Sequence, residues 1–283
     1  MDKTIWILWL QGWDDAPRLV QSCVESWRRA NPTWTVRTID RSDVATLVPD
    51  LAIDPGVKPA AQSDRIRLAL LDRFGGAWAD ATTFCMEPLD SWLPDPLPTG
   101  FFAFRAPRPG RALSSWFLAA ESGSPIIAGW HAASERYWSE RSRASGYFWL
   151  HELFGELIAT DPIARRAWEE APRISARGPH FFGPYRDRFY GPMPRDGAAH
   201  VASRRTPVYK LTNAALPDEP DPTSAYSLFA SGHVPAPVSS HRFGPMARFR
   251  EHRRQNTIDA EWRRREREAA ARAARPRPTA GES

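Results

Sequence analysis

Two adjacent glycines, Gly75 and Gly76, most constrain the fold of this 283-residue chain, because a helical pattern ends at them and a short strand follows. Before the glycines, Ile66, Leu70 and Phe74 recur every four residues, which is the spacing of one face of a helix. Glycine lets the chain turn without a Cβ penalty. The sequence therefore predicts a helix, a tight turn and a strand in an α/β fold.

The same segment places three charged side chains where they can meet. Asp64 and Arg67 lie three residues apart on a polar helix stripe, and Asp80 ends the short strand. Open α/β sheets bind ligands at the carboxyl ends of their strands, so we expect the three side chains to form a site there. Ser63 is the predicted N-cap of the helix. The simpler alternatives are a helix-surface ion pair, worth about 0.2–0.5 kcal/mol, and a turn carboxylate.

The first 39 residues have the pattern of a β-α-β unit. An apolar run at 4–10 predicts a buried strand, and residues 33–39 alternate as a second strand. Between them, residues 17–30 carry a helical apolar stripe that Asp14 or Asp15 could cap. Such units form parallel, right-handed crossovers, so we expect a parallel strand pair here.

The middle of the chain is less regular in its pattern. We expect a strand at 101–104, a mainly helical region over 112–171, and turns over 178–194 that could cover a site. The apolar content of 42% is enough for a buried core.

The excess of positive charge lies in the C-terminal segment. Residues 248–283 contain 11 Arg and 6 Asp or Glu, whereas the preceding residues contain 27 basic and 27 acidic side chains. We therefore predict one domain over 1–247, followed by a basic helix and a disordered tail over 248–283. The neutral domain argues against specific nucleic-acid binding. Two alternatives remain for the tail: it contacts a membrane surface peripherally, or it forms a solvated helix.

Cysteine content and hydropathy indicate a compartment. Cys23 and Cys85 are the two cysteines, and no charged and apolar leader precedes the first strand. No run approaches the roughly 20 apolar residues of a membrane span. We expect a cytoplasmic protein without a structural disulfide, with attachment of the tail to the inner membrane face as an alternative.

The motifs S-D-x-x-R at 63–67 and G-G-x-W-x-D at 75–80 resemble those of capsular polysaccharide synthesis proteins. More broadly, they resemble sugar-nucleotide glycosyltransferases of the GT-A fold, such as yeast-type mannosyltransferases and glucosylating toxins. The likeness extends to 5–12, 147–151 and 207–212. It implies a GT-A-like, Rossmann-type mixed sheet flanked by helices. It also implies transfer, with retention, from a nucleotide sugar, expected to be UDP-linked, to a polysaccharide, glycolipid or related acceptor.

The resemblance also implies roles for individual residues. Asp64 would bind hydroxyls of the donor sugar, Arg67 would contact the sugar or the diphosphate, and both join Asp80 as predicted catalytic residues. Trp9 would stack on the nucleobase, with a core tryptophan as the alternative. Apart from the resemblance, Lys210 is one of three lysines in the chain, and its flexible charge could steady the leaving phosphate, with a surface lysine as the alternative. The predicted donor-binding residues are Trp9, Gln11, Lys58, Ser63, Asp64, Arg67, Trp78 and Lys210.

Two members of this set have weaker support. Trp78 precedes Asp80 by two residues, so both point to one side of a strand and Trp78 could line the sugar pocket or pack in the core. Lys58 lies just before the predicted helix that carries Asp64 and Arg67. It is a less favoured candidate than Lys210 for binding a phosphate group.

A divalent cation, Mn²⁺ or Mg²⁺, is the expected cofactor, because it would stabilise charge on the leaving diphosphate. Asp80 is the first-choice ligand, and Thr82 could hold a metal-bound water. Thr82 stands where the commoner pattern has a second aspartate, so metal binding should be weak until the nucleotide supplies oxygens. One of His180, His200, His233 and His241 could complete the metal shell.

Other activities have less support. The sequence lacks the G-x-S-x-G, G-x-x-x-x-G-K and G-x-G-x-x-G motifs, which disfavours an esterase, a P-loop kinase and a dinucleotide oxidoreductase. A glycoside hydrolase could use Asp64 and Asp80 as its carboxylate pair, but this leaves Arg67 unexplained. A non-catalytic protein that binds an anionic membrane or nucleic acid through its basic tail is the other alternative.

Overall fold

The computed structural model describes residues 1–106, 110–182, 189–193, 196–214 and 216–235. The predicted basic helix and tail, and with them the boundary at residue 247, lie outside the described residues. The strands are β1 (Thr4–Leu8), β2 (Thr35–Ile39), β3 (Gly76–Ala79), β4 (Thr83–Cys85), β5 (Phe101–Arg105), β6 (Leu113–Ala120) and β7 (Val208–Lys210). The helices are α1 (Arg18–Ala30), α2 (Arg41–Leu47), α3 (Pro59–Phe74), α4 (Leu89–Trp92), α5 (Pro125–Ser139), α6 (Trp149–Thr160), α7 (Pro162–Glu170), α8 (Gly197–Ala202) and α9 (Ala225–Ser231).

A five-stranded mixed sheet of order β2-β1-β3-β6-β5 forms the centre of the fold. Strand β1 is parallel to β2 and β3, with Trp6 opposite Trp78, whereas β6 is antiparallel to both β3 and β5. The predicted β-α-β unit, the predicted strand at 101–104 and the mixed α/β sheet are confirmed.

Alternate residues of the sheet supply two separate cores, because successive strand side chains point to opposite faces. Trp6 and Trp78 pack in one core with residues of α3, α5, α6 and α7. Ile5 and Ala77 pack in the other core, which includes Trp27 of α1. The helices therefore flank both faces of the sheet.

A second, two-stranded sheet connects the chain after β3 with a distant segment. Strands β4 and β7 pair antiparallel, with Thr83 opposite Lys210 and Phe84 opposite Tyr209. Phe84 and Tyr209 pack in a third apolar cluster with Phe229 of α9. This pairing positions Lys210 next to the end of β3.

The expectation that residues 112–171 are mainly helical is wrong at its start. Residues Leu113–Ala120 form β6, whose eight residues are all buried between β3 and β5. An apolar run that is buried on both faces cannot be distinguished from a buried helix by periodicity alone. Helices α5, α6 and α7 account for most of the rest of this region.

Two predicted helix caps are also wrong. Helix α3 begins at Pro59, with Lys58 at the N-cap, so Ser63 lies inside the helix. Proline suits the first helical turn, where its missing N–H has no partner to lose. Helix α1 has Pro17 at its N-cap and no side-chain cap, so neither Asp14 nor Asp15 caps it.

Two further sequence expectations can be compared with the described residues. Residues 178–182 form turns, as predicted, whereas 183–188 and 194 lie outside the described part. Cys23 and Cys85 are both free and buried. No helix in the described part of the chain combines the length and the apolar character required to cross a bilayer.

Candidate functional site

The site is built at the carboxyl end of β3, where the main chain of Asp80 is held on both sides. Its N–H donates to the carbonyl oxygen of Trp116 in β6 at 2.8 Å. Its carbonyl oxygen accepts from the N–H of Thr83 at 2.9 Å and from the Thr83 hydroxyl at 2.6 Å. These bonds orient the Asp80 side chain at the edge where parallel β1 and β3 both end.

The Asp80 carboxylate receives three donors. Trp78 Nε1 donates to Oδ1 at 2.9 Å, and a terminal nitrogen of Arg67 lies 3.3 Å from the same oxygen. Lys210 Nζ donates to Oδ2 at 2.9 Å. Burial alone would raise the pKa of Asp80, but Lys210, Arg67 and Trp78 together hold that pKa below its ordinary value. Asp80 is therefore ionised at neutral pH.

Arg67 is fixed between two carboxylates. One terminal nitrogen donates to the Ser115 carbonyl oxygen at 2.7 Å, and the other lies 3.1 Å from Asp64 Oδ1 and 3.3 Å from Ser63 Oγ. The guanidinium also lies over the Trp78 ring, 5.2 Å from its centroid. The Arg67 and Asp64 side chains are 6% and 15% exposed, so they are not a solvated helix-surface pair.

Asp64 differs from Asp80 in its protonation behaviour. Burial and, to a smaller extent, the charge of Asp80 raise the pKa of Asp64 to about 6, against the attraction of Arg67. The Trp149 side chain, at the start of α6, is close enough to this carboxyl group to lower its pKa. Two neighbouring carboxyl groups therefore have pKa values displaced in opposite directions.

Lys210 reaches this site from the other end of the chain. Its Nζ donates to Thr82 Oγ1 at 2.7 Å and to Asp80 at 2.9 Å, and its side chain is 22% exposed. We call Asp64, Arg67, Asp80, Thr82 and Lys210 the Asp80 cluster. The alternative of a surface lysine does not fit this geometry.

Three residues predicted to bind the donor stand outside the hydrogen-bonded Asp80 cluster. Trp9 and Gln11 follow β1 at the same sheet edge, where Trp9 packs partly against the core and Gln11 is exposed. Lys58 is exposed at the N-cap of α3. Among the described residues, no hydrogen bond or ion pair joins these three to the Asp80 cluster. Trp78 is 1% exposed and acts on the cluster through its indole N–H.

Trp149 and His151 are site neighbours that sequence reasoning did not include among the site residues. Burial, together with the charges of Arg111 and Arg67, lowers the pKa of His151 to about 4, so its ring is neutral at pH 7. Its Nδ1 is buried without a hydrogen-bond partner among the described residues. The signal available beforehand was the Tyr147–His151 motif of the family resemblance.

The histidines considered for a metal shell lie in different places. His180 Nε2 accepts from Trp116 Nε1 at 3.1 Å, and Trp116 in turn binds the main chain of Asp80. His200 stacks on Phe181 with ring centroids 3.8 Å apart, and His241 lies outside the described residues. Within the described ranges, no group of three or more His, Cys, Asp or Glu side chains is placed to hold a metal ion.

The profile of the capsular polysaccharide synthesis proteins matches residues 1–227, which include the whole Asp80 cluster. The chain belongs to this family. The predicted family resemblance is confirmed, and the match extends through all the strands described above.

Three curated fungal proteins are similar to this chain. They are the O-glycosyltransferase braB of Annulohypoxylon truncatum (29% identity), the glycosyltransferase afumC of Aspergillus fumigatus (32%) and the O-glycosyltransferase PaGT of Phomopsis amygdali (26%). The matches cover 55%, 56% and 55% of this chain and 42%, 46% and 43% of those proteins. The matched region is thus less than half the length of each relative.

A solved structure, PaToxG Glycosyltransferase, has 17% sequence identity to this chain and a TM-score of 0.43. The similarity covers 59% of this chain and 78% of the other.

Proposed function

We propose that this protein is a glycosyltransferase that moves a sugar from a nucleotide-sugar donor to a carbohydrate acceptor. A UDP-sugar is the donor that we expect. The observation that carries the proposal is the buried Arg67, held between Asp64 and Asp80 at the carboxyl end of β3 with Lys210 beside it. Two fixed cations next to two carboxylates suit a ligand with both a diphosphate and sugar hydroxyls. The names of the fungal relatives support the same activity.

Each side chain has a role in this proposal. The Asp64 carboxylate accepts hydrogen bonds from hydroxyls of the donor sugar, while Arg67 and Lys210 donate to the diphosphate oxygens. As the bond between the anomeric carbon and phosphate oxygen breaks, the acceptor hydroxyl forms the new bond and its proton passes to the leaving phosphate. Transfer of this kind retains the anomeric configuration and requires no separate protein base.

A divalent cation fits this cluster only together with the donor. Asp80 and Thr82 offer a carboxylate and a hydroxyl, which are the hard oxygen ligands that Mn²⁺ and Mg²⁺ prefer, but both already bind the Lys210 ammonium. When bound, the cation would neutralise charge on the leaving diphosphate.

The charge balance of the cluster supports joint binding of cation and donor. Asp64 and Asp80 carry two negative charges, and Arg67 and Lys210 carry two positive ones. A bare divalent cation would add two unpaired positive charges to a partly buried site, which is costly. A cation with a diphosphate adds no net charge, so we propose that Lys210 leaves Asp80 for the diphosphate when the two bind together.

A thermal-shift and calorimetric titration with UDP, GDP and their sugars, with and without Mn²⁺, tests the proposal. We expect one nucleotide series to stabilise the protein, by about 2.7 kcal/mol at 100 times its Kd, and Mn²⁺ to strengthen this effect. Asp80→Asn should abolish the stabilisation. Asp50→Asn, whose side chain is 94% exposed, is the matched control and should bind as the native protein does.

Three outcomes would reject the transferase proposal. One is the absence of stabilisation by any nucleotide sugar at millimolar concentration. Another is release of free sugar from glycosides without a nucleotide, which would favour the hydrolase alternative that uses Asp64 and Asp80. The third is unchanged nucleotide binding by Asp80→Asn.

A further inference from the structure

Two neighbouring aromatic side chains are exposed directly before α6. Tyr147 is 78% exposed and Phe148 is 37% exposed. In the described part of the chain, the other large apolar side chains with such exposure are Ile163 and Leu216, and neither is aromatic. The two rings lie edge to face, 4.9 Å apart. Adjacent exposed aromatics in a protein that buries most of its aromatic side chains indicate a binding surface.

This surface is linked to the Asp80 cluster through two residues of α6. The next residue, Trp149, is buried, and its side chain is close enough to Asp64 to lower the pKa of that carboxyl group. The His151 N–H donates to the Phe148 carbonyl oxygen at 2.9 Å, and the two rings meet edge to face at 5.7 Å. His151 is in turn close enough to Arg67 and Asp80 for their charges to act on its ring. Tyr147 and Phe148 therefore adjoin the two residues, Trp149 and His151, that interact with the charges of the Asp80 cluster.

We propose that Tyr147 and Phe148, which we call the aromatic platform, bind a pyranose ring of the carbohydrate acceptor and direct its hydroxyl towards Asp64 and Arg67. This inference rests on the proposed transferase function and adds to it the location and chemistry of the acceptor site.

The composition of the surface favours a sugar over an extended apolar acceptor. One face of a pyranose carries C–H groups that suit an aromatic ring, while its hydroxyls require polar neighbours. The Arg111 guanidinium lies over the Phe148 ring, 4.2 Å from its centroid, and residues 139–143, which are all polar or charged, come shortly before the platform. Two rings with polar surroundings match one sugar ring, whereas a polycyclic apolar acceptor would need a larger continuous apolar patch.

The test uses the full chain and the variants Tyr147→Ala, Phe148→Ala and the double variant. Ile163→Ala is the matched control, since it also removes an exposed apolar side chain, 67% exposed, but from α7. The probes are the methyl pyranosides of glucose, galactose and mannose, observed by saturation-transfer NMR with nucleotide present. Tyr147→Trp tests whether an aromatic face is sufficient.

We expect at least one pyranoside to bind the native protein, and the double variant to lose at least tenfold in its affinity. Ile163→Ala and Tyr147→Trp should retain binding. In turnover, the ratio of sugar transferred to the pyranoside over sugar transferred to water should fall at least tenfold in the double variant. Nucleotide affinity, measured on the same samples, shows whether each variant is folded and its donor site intact.

Several results would overturn the platform. They are the absence of pyranoside binding by the native protein, equal binding by the double variant, and preferential binding of a polycyclic alcohol such as a sterol. The two proposals fail separately. If nucleotides bind and the double variant keeps its pyranoside affinity, the platform is wrong; if pyranoside binding depends on the platform but no nucleotide sugar binds, the transferase function is wrong.

Discussion

The Asp80 cluster and the aromatic platform are linked through Asp64 and Trp149, yet their side chains are held in opposite ways. In the cluster, Arg67 and Lys210 each bind Asp80, at 3.3 and 2.9 Å, and all three side chains are partly or wholly withdrawn from water. On the platform, Tyr147 and Phe148 project into solvent. Buried charges require fixed partners, whereas an exposed ring can be replaced at little cost to folding. The two regions should therefore respond differently to substitution.

Removing the Arg67 guanidinium should have the largest effect. Arg67→Met leaves two buried carboxylates without their shared cation, and we expect a loss of about 3–5 kcal/mol in the free energy of unfolding at pH 7.5. Urea unfolding measures this change. Arg73→Met, on the same helix, is the matched control, because Arg73 is half exposed and its partner Asp50 is almost fully exposed. That variant should lose less than about 1 kcal/mol. Similar losses in both variants would show that burial of the cluster is not decisive.

Neutralising Asp64 should increase the free energy of unfolding at pH 7.5, whereas removing the Arg67 guanidinium should decrease it. The pKa of Asp64 is about 6 in the folded protein, and about 3.9 is usual for an unfolded aspartate. The folded state therefore binds the proton more tightly, so native stability falls as pH rises from about 4 to about 6 and stays reduced above that range. Asp64→Asn lacks this penalty. We expect it to be more stable than the native protein at pH 7.5, by no more than about 3 kcal/mol, with the difference vanishing near pH 4.

Unfolding curves between pH 4 and 8 measure the Asp64→Asn difference, and nucleotide-sugar binding measures its functional cost. We expect the variant to be more stable and to bind the donor sugar less well. Lower stability than the native protein at pH 7.5 would mean that attraction to Arg67 outweighs the burial of Asp64.

Replacing Lys210 should change cation binding. Lys210→Met frees Asp80 and Thr82 from the ammonium that lies 2.9 and 2.7 Å away, and removes one positive charge. Without nucleotide, we expect Mn²⁺ to bind this variant at least tenfold more tightly than the native protein, about 1.4 kcal/mol, as measured by electron paramagnetic resonance. Lys3→Met, at an exposed ion pair with Asp90, is the control. Unchanged Mn²⁺ affinity in Lys210→Met would contradict the proposed competition.

Substitution of a platform residue should have the smallest effect on the free energy of unfolding. Tyr147→Ala removes a ring that is 78% exposed, and we expect the free energy of unfolding to change by less than about 0.5 kcal/mol. Thermal unfolding without ligands measures this change. A loss above 1 kcal/mol would mean that Tyr147 is packed structurally and would weaken the contrast with the cluster.

Local sequence patterns were sufficient for the helix, turn and strand that carry Asp64, Arg67 and Asp80. Apolar spacing, the two glycines and a terminal carboxylate all act within about 20 residues, where periodicity and turn chemistry decide the structure. Periodicity failed at β6, because Leu113–Ala120 is buried on both faces and has no polar side to mark its period. The start of α3 was also misplaced, since Pro59 rather than Ser63 opens the helix.

The sequence by itself determined the α/β class, the family and the residues around which a site could form. Only the tertiary structure brought Lys210 to Asp80 across 130 residues, through the pairing of β4 with β7. It also decided that Asp64 and Asp80 have pKa values displaced in opposite directions, and that Tyr147 and Phe148 are exposed. The physical reason is that strand pairing, burial and the distances between charges depend on contacts between distant segments, which local periodicity does not specify.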